Sequence, residues 1–238
     1  MHDIRDYFAS GKRLGFINVA FSSRATGESA WLLLGLTGSG YIIGVKAFWV
    51  VLGEMLGVGI AWIFMARRFK RLTDKYDSIT VPDYLESRLR DNSHWLRLIA
   101  AGSLLVFVPI YAGTQVHAAG GAFNSFLGWN HYVGAAVGFG IVLLYITQGG
   151  FTAVVWSDVF QGSLMMLGLV ILPIIGLLEA GGVTNIIDNV RAADPGLLTL
   201  HAGEGWNALT IFSIIGLMTI GIGFLGSPQV FVRFISLK

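Results

Sequence analysis

Cysteine is absent from the 238 residues. That excludes a disulfide scaffold, a thiolate metal site and a cysteine nucleophile. Charge is nearly as scarce: Asp, Glu, Lys and Arg make up 13% of the chain, where a soluble domain carries about 25%. Hydrophobic residues reach 54% and the mean hydropathy is +0.68, so too little polar surface remains to coat a water-soluble globule. The 32 glycines follow no three-residue period, which excludes collagen. An apolar chain of this kind does not stay disordered. A net charge of +2 is too small to imply a nucleic-acid partner. No nucleotide-binding loop, zinc-ligand spacing or paired His and carboxylate on one helical face is present, so the chain does not read as an enzyme. The start, MHDIRDYFAS, lacks the apolar core of a signal peptide.

The uncharged runs carry the first positive information. Residues 98–157 contain no Asp, Glu, Lys or Arg, and neither do 159–178, 205–232 or 29–45. A membrane-crossing helix needs about 20 apolar residues. The longest run therefore holds two spans, separated by the polar break at 124–131. Six spans are expected in one membrane domain, at about 15–36, 41–66, 96–124, 131–149, 152–178 and 206–232.

Twelve of the 16 Lys and Arg residues lie before span one, between spans two and three, or after span six, and Arg97 stands at the very start of span three. Six spans put these segments on one side, and the basic bias makes that side cytoplasmic. The expected location is a plasma membrane, bacterial inner membrane first, with the N-terminal segment and 67–95 inside. In the inner connection Thr80 is placed to cap a helix, with Pro82 in its first turn and Asp83 at its positive end. Tyr84, Leu85 and Leu89 are expected to face the membrane surface. A short helix is expected at 184–192 on the opposite side.

Spans one and six are the least regular. Span one contains FSSRATGES, small and polar around Gly27, and span six carries Gly216, Gly221, Gly223, Gly226 and Pro228. Interrupted helices at positions one and six fit a five-helix unit followed by an inverted copy, the arrangement of LeuT-type transporters. Intramembrane charges pair or line a pathway. Arg24 and Glu28, four apart, share one helix face and are expected to pair. Glu54 sits mid-span and must face the interior or be protonated. Gln115 and His117 read as hydrogen-bonding groups between helices.

Five stretches give a specific resemblance: GKRLGF at 11–16, SAWLLLGLTG at 29–38, TVPDYLESR at 80–88, GGFTAVVWSDVFQGSLM at 149–165 and GFLGSPQVFVRF at 223–234. Taken in order, they resemble the sodium:solute symporter family, and within it the sodium/proline branch. The resemblance implies an all-α, LeuT-like inverted-repeat membrane fold, of which this chain would hold the first repeat and the first helix of the second. It implies sodium-coupled symport of a small organic solute, an amino acid such as proline first, with sodium as coupling ion and no organic cofactor.

Matched by motif, the resemblance places sodium on the Ala25 and Glu28 carbonyls and assigns Ser29 and Asp158 to the sodium route. It places substrate near Trp31, Ile220, Phe224 and Pro228. The branch has a Trp and a Tyr where Ile220 and Phe224 stand, an acidic residue at Gly27 and a small one at Arg24. Strict proline selectivity is therefore not expected. A proton-coupled carrier titrating Asp158, Glu28 or Glu54, a channel, and a non-transporting sensor domain are the rival readings. A channel's ring of filter residues is not seen.

Overall fold

The computed structural model describes residues 4–238. Its elements, in chain order, are α1 (Ile4–Ala9), α2 (Phe16–Ala30), α3 (Thr37–Ile43), α4 (Phe48–Ile60), α5 (Arg67–Lys75), α6 (Val81–Leu89), α7 (Trp95–Leu127), α8 (His131–Glu179), α9 (Val183–Ala193), α10 (Ala208–Ile222) and α11 (Pro228–Ile235). Among the described residues the only strand-like pairing is one parallel bridge, Leu14 with Leu237. Among the described residues, four helical stretches are long and apolar enough to cross a membrane: Leu34–Lys75, Trp95–Leu127, His131–Glu179 and Ala208–Ile235. Helices dominate because an apolar solvent leaves backbone N–H and C=O groups no partner but each other.

Helical geometry is interrupted at several places along the chain. Between α10 and α11 the chain tightens to a 3₁₀ turn at Gly223–Gly226 and then extends at Ser227 (φ −71°, ψ 110°). Pro228 begins α11, where its missing N–H costs no helical bond. In the first helix the expected irregularity lies elsewhere. Residues around Gly27 are α-helical, and the distortion is a π turn at Trp31–Leu36. Inside α8, Gly150 leaves helical geometry (φ 55°, ψ −151°), a conformation that a side chain would strain.

The chain divides into two units. One is formed by the segments up to Ala30, Ala66–Phe160 and Pro228–Lys238. Here the N-terminal stretch is stitched to the C-terminal one: Leu14 N–H donates to the Ser236 carbonyl (3.1 Å) and Lys238 N–H to the Leu14 carbonyl (2.9 Å). Asp74 on α5 accepts from Lys12 (3.0 Å) and Lys70 (2.9 Å), and Lys70 also donates to the Ile235 carbonyl. The Phe69 ring meets Tyr84 of α6 edge-on and Phe231 of α11 at a tilt, each with centroids 5.0 Å apart. Tyr84 is consequently buried, which corrects its expected place on the membrane surface. Leu89 is exposed.

Helix α6 starts as its sequence dictates. Thr80 Oγ1 accepts from the Asp83 N–H at 3.3 Å, and Pro82 fits the first turn. At its far end Glu86 accepts hydrogen bonds from His94 and from Arg97 (3.0 Å), tying α6 to the start of α7. The His94 bond holds the Glu86 carboxyl below the usual carboxylate range, against desolvation and with help from Arg97. A carboxyl depressed in the folded state contributes stability above its unfolded value, about 4.3, and loses it as pH falls through the folded value. Hydrogen-exchange protection factors across 81–97 should therefore hold steady from pH 8 to about 5 and drop in stronger acid. In an E86Q variant that acid drop should be smaller, the remainder coming from Asp91, whose carboxyl is held down by its bonds to Ser93 and the Leu96 N–H.

The second unit, Trp31–Met65 with Gln161–Ser227, is built on α4 against α10. These helices touch backbone to backbone through Gly53, Gly57 and Gly221. Helix α9 occupies Val183–Ala193, where a short helix was expected. Its neighbouring loop holds a buried cation: Lys46, 4% exposed, donates to Glu204 at 2.8 Å. This hydrogen bond keeps the Glu204 carboxyl below its ordinary range, and Thr210 Oγ1 also donates to it, at 3.3 Å.

Candidate functional site

The first unit buries a charged cluster. Arg233 on α11 is 5% exposed, and Ser22 on α2 is fully buried. The Arg233 guanidinium spends its donors on three groups. Nη2 reaches Asp158 Oδ2 at 2.7 Å, Nε reaches Ser22 Oγ at 2.7 Å, and Nη1 reaches the Gln229 carbonyl at 2.8 Å. Ser22 Oγ donates to the same Asp158 oxygen at 2.6 Å. The Phe151 ring lies 5.7 Å beneath the guanidinium. Arginine suits this position because its planar fork serves several acceptors without losing its charge. Asp158 is thus engaged on one oxygen by a cation and a hydroxyl.

Arg233 and Ser22 were missed as site residues. Arg233 was counted among the flanking basic residues, and Ser22 is 136 positions from Asp158. The one available signal was the pairing rule itself: an intramembrane Asp requires a cationic or hydroxyl partner.

One residue beyond Ser22, the Ser23 Oγ is buried without a hydrogen-bond partner. A buried hydroxyl left unsatisfied costs about 1–3 kcal/mol, so this atom marks a place where an oxygen-seeking ion or a water gains a ligand. Ala25 follows on the same α-helix. The side chains of Glu28 and Ser29 lie outside the described ones, as therefore does the expected Arg24–Glu28 pair. At the end of α2 the Ala30 N–H donates to Gln115 Oε1 of α7 at 3.1 Å, the interhelical role expected of Gln115. His117 of α7 hydrogen-bonds His131 of α8.

The expected substrate residues divide between the units. Trp31 begins the π turn and is 40% exposed. Ile220, on the last turn of α10, is 47% exposed, and Phe224 in the following 3₁₀ turn is buried. Pro228 starts α11 in the other unit. The helix break after α10 therefore falls among Ile220, Phe224 and Pro228. Among the described residues no group of three or more His, Cys, Asp or Glu side chains forms a metal cluster.

A profile of the sodium:solute symporter family matches residues 7–238. The high-affinity proline transporter of Bacillus subtilis is 34% identical over 236 residues, covering 99% of this chain and 49% of the relative. The osmoregulated proline transporter of the same organism is 31% identical over 237 residues, 47% of its length. The sodium/proline symporter of Escherichia coli is 32% identical over 232 residues, 97% of this chain and 45% of the relative. The chain thus spans about half the length of the curated relatives it matches. No solved structure matches it. With four helical stretches among the described residues long and apolar enough to cross a bilayer, and a family match that runs over residues 7–238, the chain belongs to the sodium:solute symporter family.

Proposed function

We propose that the protein carries out sodium-coupled symport of a small organic solute, with proline as the leading substrate. The family match over residues 7–238 carries this reading, and three relatives that are proline transporters give the substrate its rank. The architecture that fits is a LeuT-like inverted repeat, with spans one to five as one repeat and span six opening the next. The helix break at Gly223–Ser227 and the π turn at Trp31–Leu36 support it, since such distortions sit where transporters expose backbone to cargo. The bend at Gly150 supports two spans within α8.

In this reading sodium takes the Ala25 and Glu28 carbonyls, with Ser29 beside them and Asp158 on its route. The orphaned Ser23 hydroxyl adds an oxygen near Ala25. Sodium is a hard cation, and a chain of carbonyls and hydroxyls is the donor set it needs. Substrate meets Trp31, Ile220, Phe224 and Pro228. Binding is reciprocal: sodium that tightens substrate must itself be tightened by substrate. The family match ranks sodium above the proton as coupling ion.

Proteoliposomes with an inward sodium gradient should accumulate radiolabelled proline in a saturable manner. Choline in place of sodium should abolish it. Uptake driven equally well by a pH gradient without sodium would reject the coupling. Ile220 and Phe224 offer no hydrogen-bond donor, so analogues lacking the matching group should compete. Proline uptake untouched by a hundredfold excess of every other small amino acid would contradict that part.

The orientation follows the basic bias. A single cysteine at Lys75 should stay unlabelled by an impermeant maleimide in intact cells, and one at Asn189 should react. The reverse pattern would invert the topology.

A further inference from the structure

The hairpin between α7 and α8 brings two imidazoles together. His131 Nε2 lies 3.1 Å from His117 Nδ1, with ring centroids 4.5 Å apart and planes tilted by 57°. Neither role in transport described above uses them. Two metal–nitrogen bonds of about 2.05 Å spanning a 3.1 Å separation enclose an angle near 98°. That lies between square-planar and tetrahedral geometry, so both nitrogens fall within bonding distance of one ion.

The surrounding turn holds this geometry. Gly120 on α7, one turn beyond His117, lets α8 approach so closely that an added Cβ would meet the His131 carbonyl oxygen at 2.6 Å. Asn130 caps α8 through the N–H groups of Tyr132 (2.9 Å) and Val133 (3.4 Å). Asn124 Nδ2 donates to the Trp129 carbonyl at 2.6 Å, and Phe123 stacks on Trp129 at 5.4 Å. A pair of ligands fixed before binding loses little entropy when the ion arrives.

We propose that His117 and His131 form a binding site for one divalent d-block cation, Zn²⁺ or Cu²⁺ by ligand chemistry, that clasps the α7–α8 hairpin. Imidazole suits these ions and not sodium or magnesium, so the site is separate from the coupling ion. Two protein ligands leave the remaining positions to water. The bound ion replaces the hydrogen between the rings and ties the two helices at a second point beside Gly120.

Purified, chelator-stripped protein in detergent is titrated with ZnCl₂ by calorimetry. One saturable site per chain is expected, and Cu²⁺ should show nitrogen splitting from two imidazoles by electron paramagnetic resonance. His117→Ala and His131→Gln should each weaken Zn²⁺ binding by at least about tenfold and reduce the Cu²⁺ spectrum to one imidazole. A variant with His2, His94 and His201 replaced by Ala should bind as the parent does. Gly120→Ala keeps both ligands but pushes the helices apart, and should also weaken the site. Absence of saturable binding in the parent protein overturns the proposal, as does unchanged affinity in His117→Ala and His131→Gln.

Discussion

Replacing Arg233 with methionine is expected to destabilise the protein by about 3 kcal/mol, the cost of breaking a buried ion pair from one side. Asp158 Oδ2 would keep only the Ser22 hydroxyl, in a site where Ser22 is fully buried and Arg233 only 5% exposed. The cost arises less from the lost attraction than from the carboxylate left without a cation. Removing both charges should therefore be milder than removing one. Arg233→Met with Asp158→Leu is expected to recover most of the loss. Ser22→Ala should cost less than Arg233→Met, since it removes one hydroxyl and leaves the ion pair standing. A double-mutant cycle on thermal unfolding in detergent gives the test. Losses that simply add, with no coupling between positions 158 and 233, would show that the pair contributes no mutual stabilisation.

That cluster also marks where the sequence could and could not be read. The uncharged runs locate apolar helices because a bilayer tolerates few other choices. Thr80 is legible as a cap because the bond it makes, to Asp83 N–H, is three residues away. The Gly- and Pro-rich stretch after α10 is legible as a break for the same local reason. Contacts between distant segments are a different matter. Ser22, Asp158 and Arg233 meet across 211 residues of chain, and hydropathy alone placed Arg233 in the flanking basic set. Tyr84 was misplaced in the same way. Its local pattern fits a surface helix, and only the approach of Phe69 from α5 buries it. In the first helix the weak helix formers around Gly27 suggested a break that tertiary context overrides. The π turn falls instead at Trp31–Leu36, directly after Gln115 captures the Ala30 N–H. Local propensity carries no signal for that event.

Gly221→Ala is expected to disrupt the second unit, and Gly216→Ala on the same helix is not. A Cβ at Gly221 would lie 2.0 Å from the Glu54 nitrogen and 2.4 Å from the Gly53 carbonyl carbon. From the other side, a Cβ at Gly53 would meet the Met218 carbonyl oxygen at 2.2 Å, and one at Gly57 the Gly221 oxygen at 2.6 Å. Every obstacle is backbone, so no side chain can swing aside. The helices α4 and α10 must separate by an ångström or more, and overpacking of this kind costs about 1–3 kcal/mol or more. Separation also forfeits the close van der Waals contact that holds helices together where lipid removes the hydrophobic driving force. Gly216 faces open space within 4 Å, so alanine there should be neutral or gain up to about 1 kcal/mol from helix propensity. Ile220 and Phe224 flank Gly221 along the chain, so displacement of α10 should reach the proposed substrate positions as well. Gly221→Ala is then expected to lower thermal stability and raise the half-saturating proline concentration together, while Gly216→Ala changes neither. Equal melting temperatures for the two variants would mean that α4 and α10 are not packed backbone to backbone at Gly221.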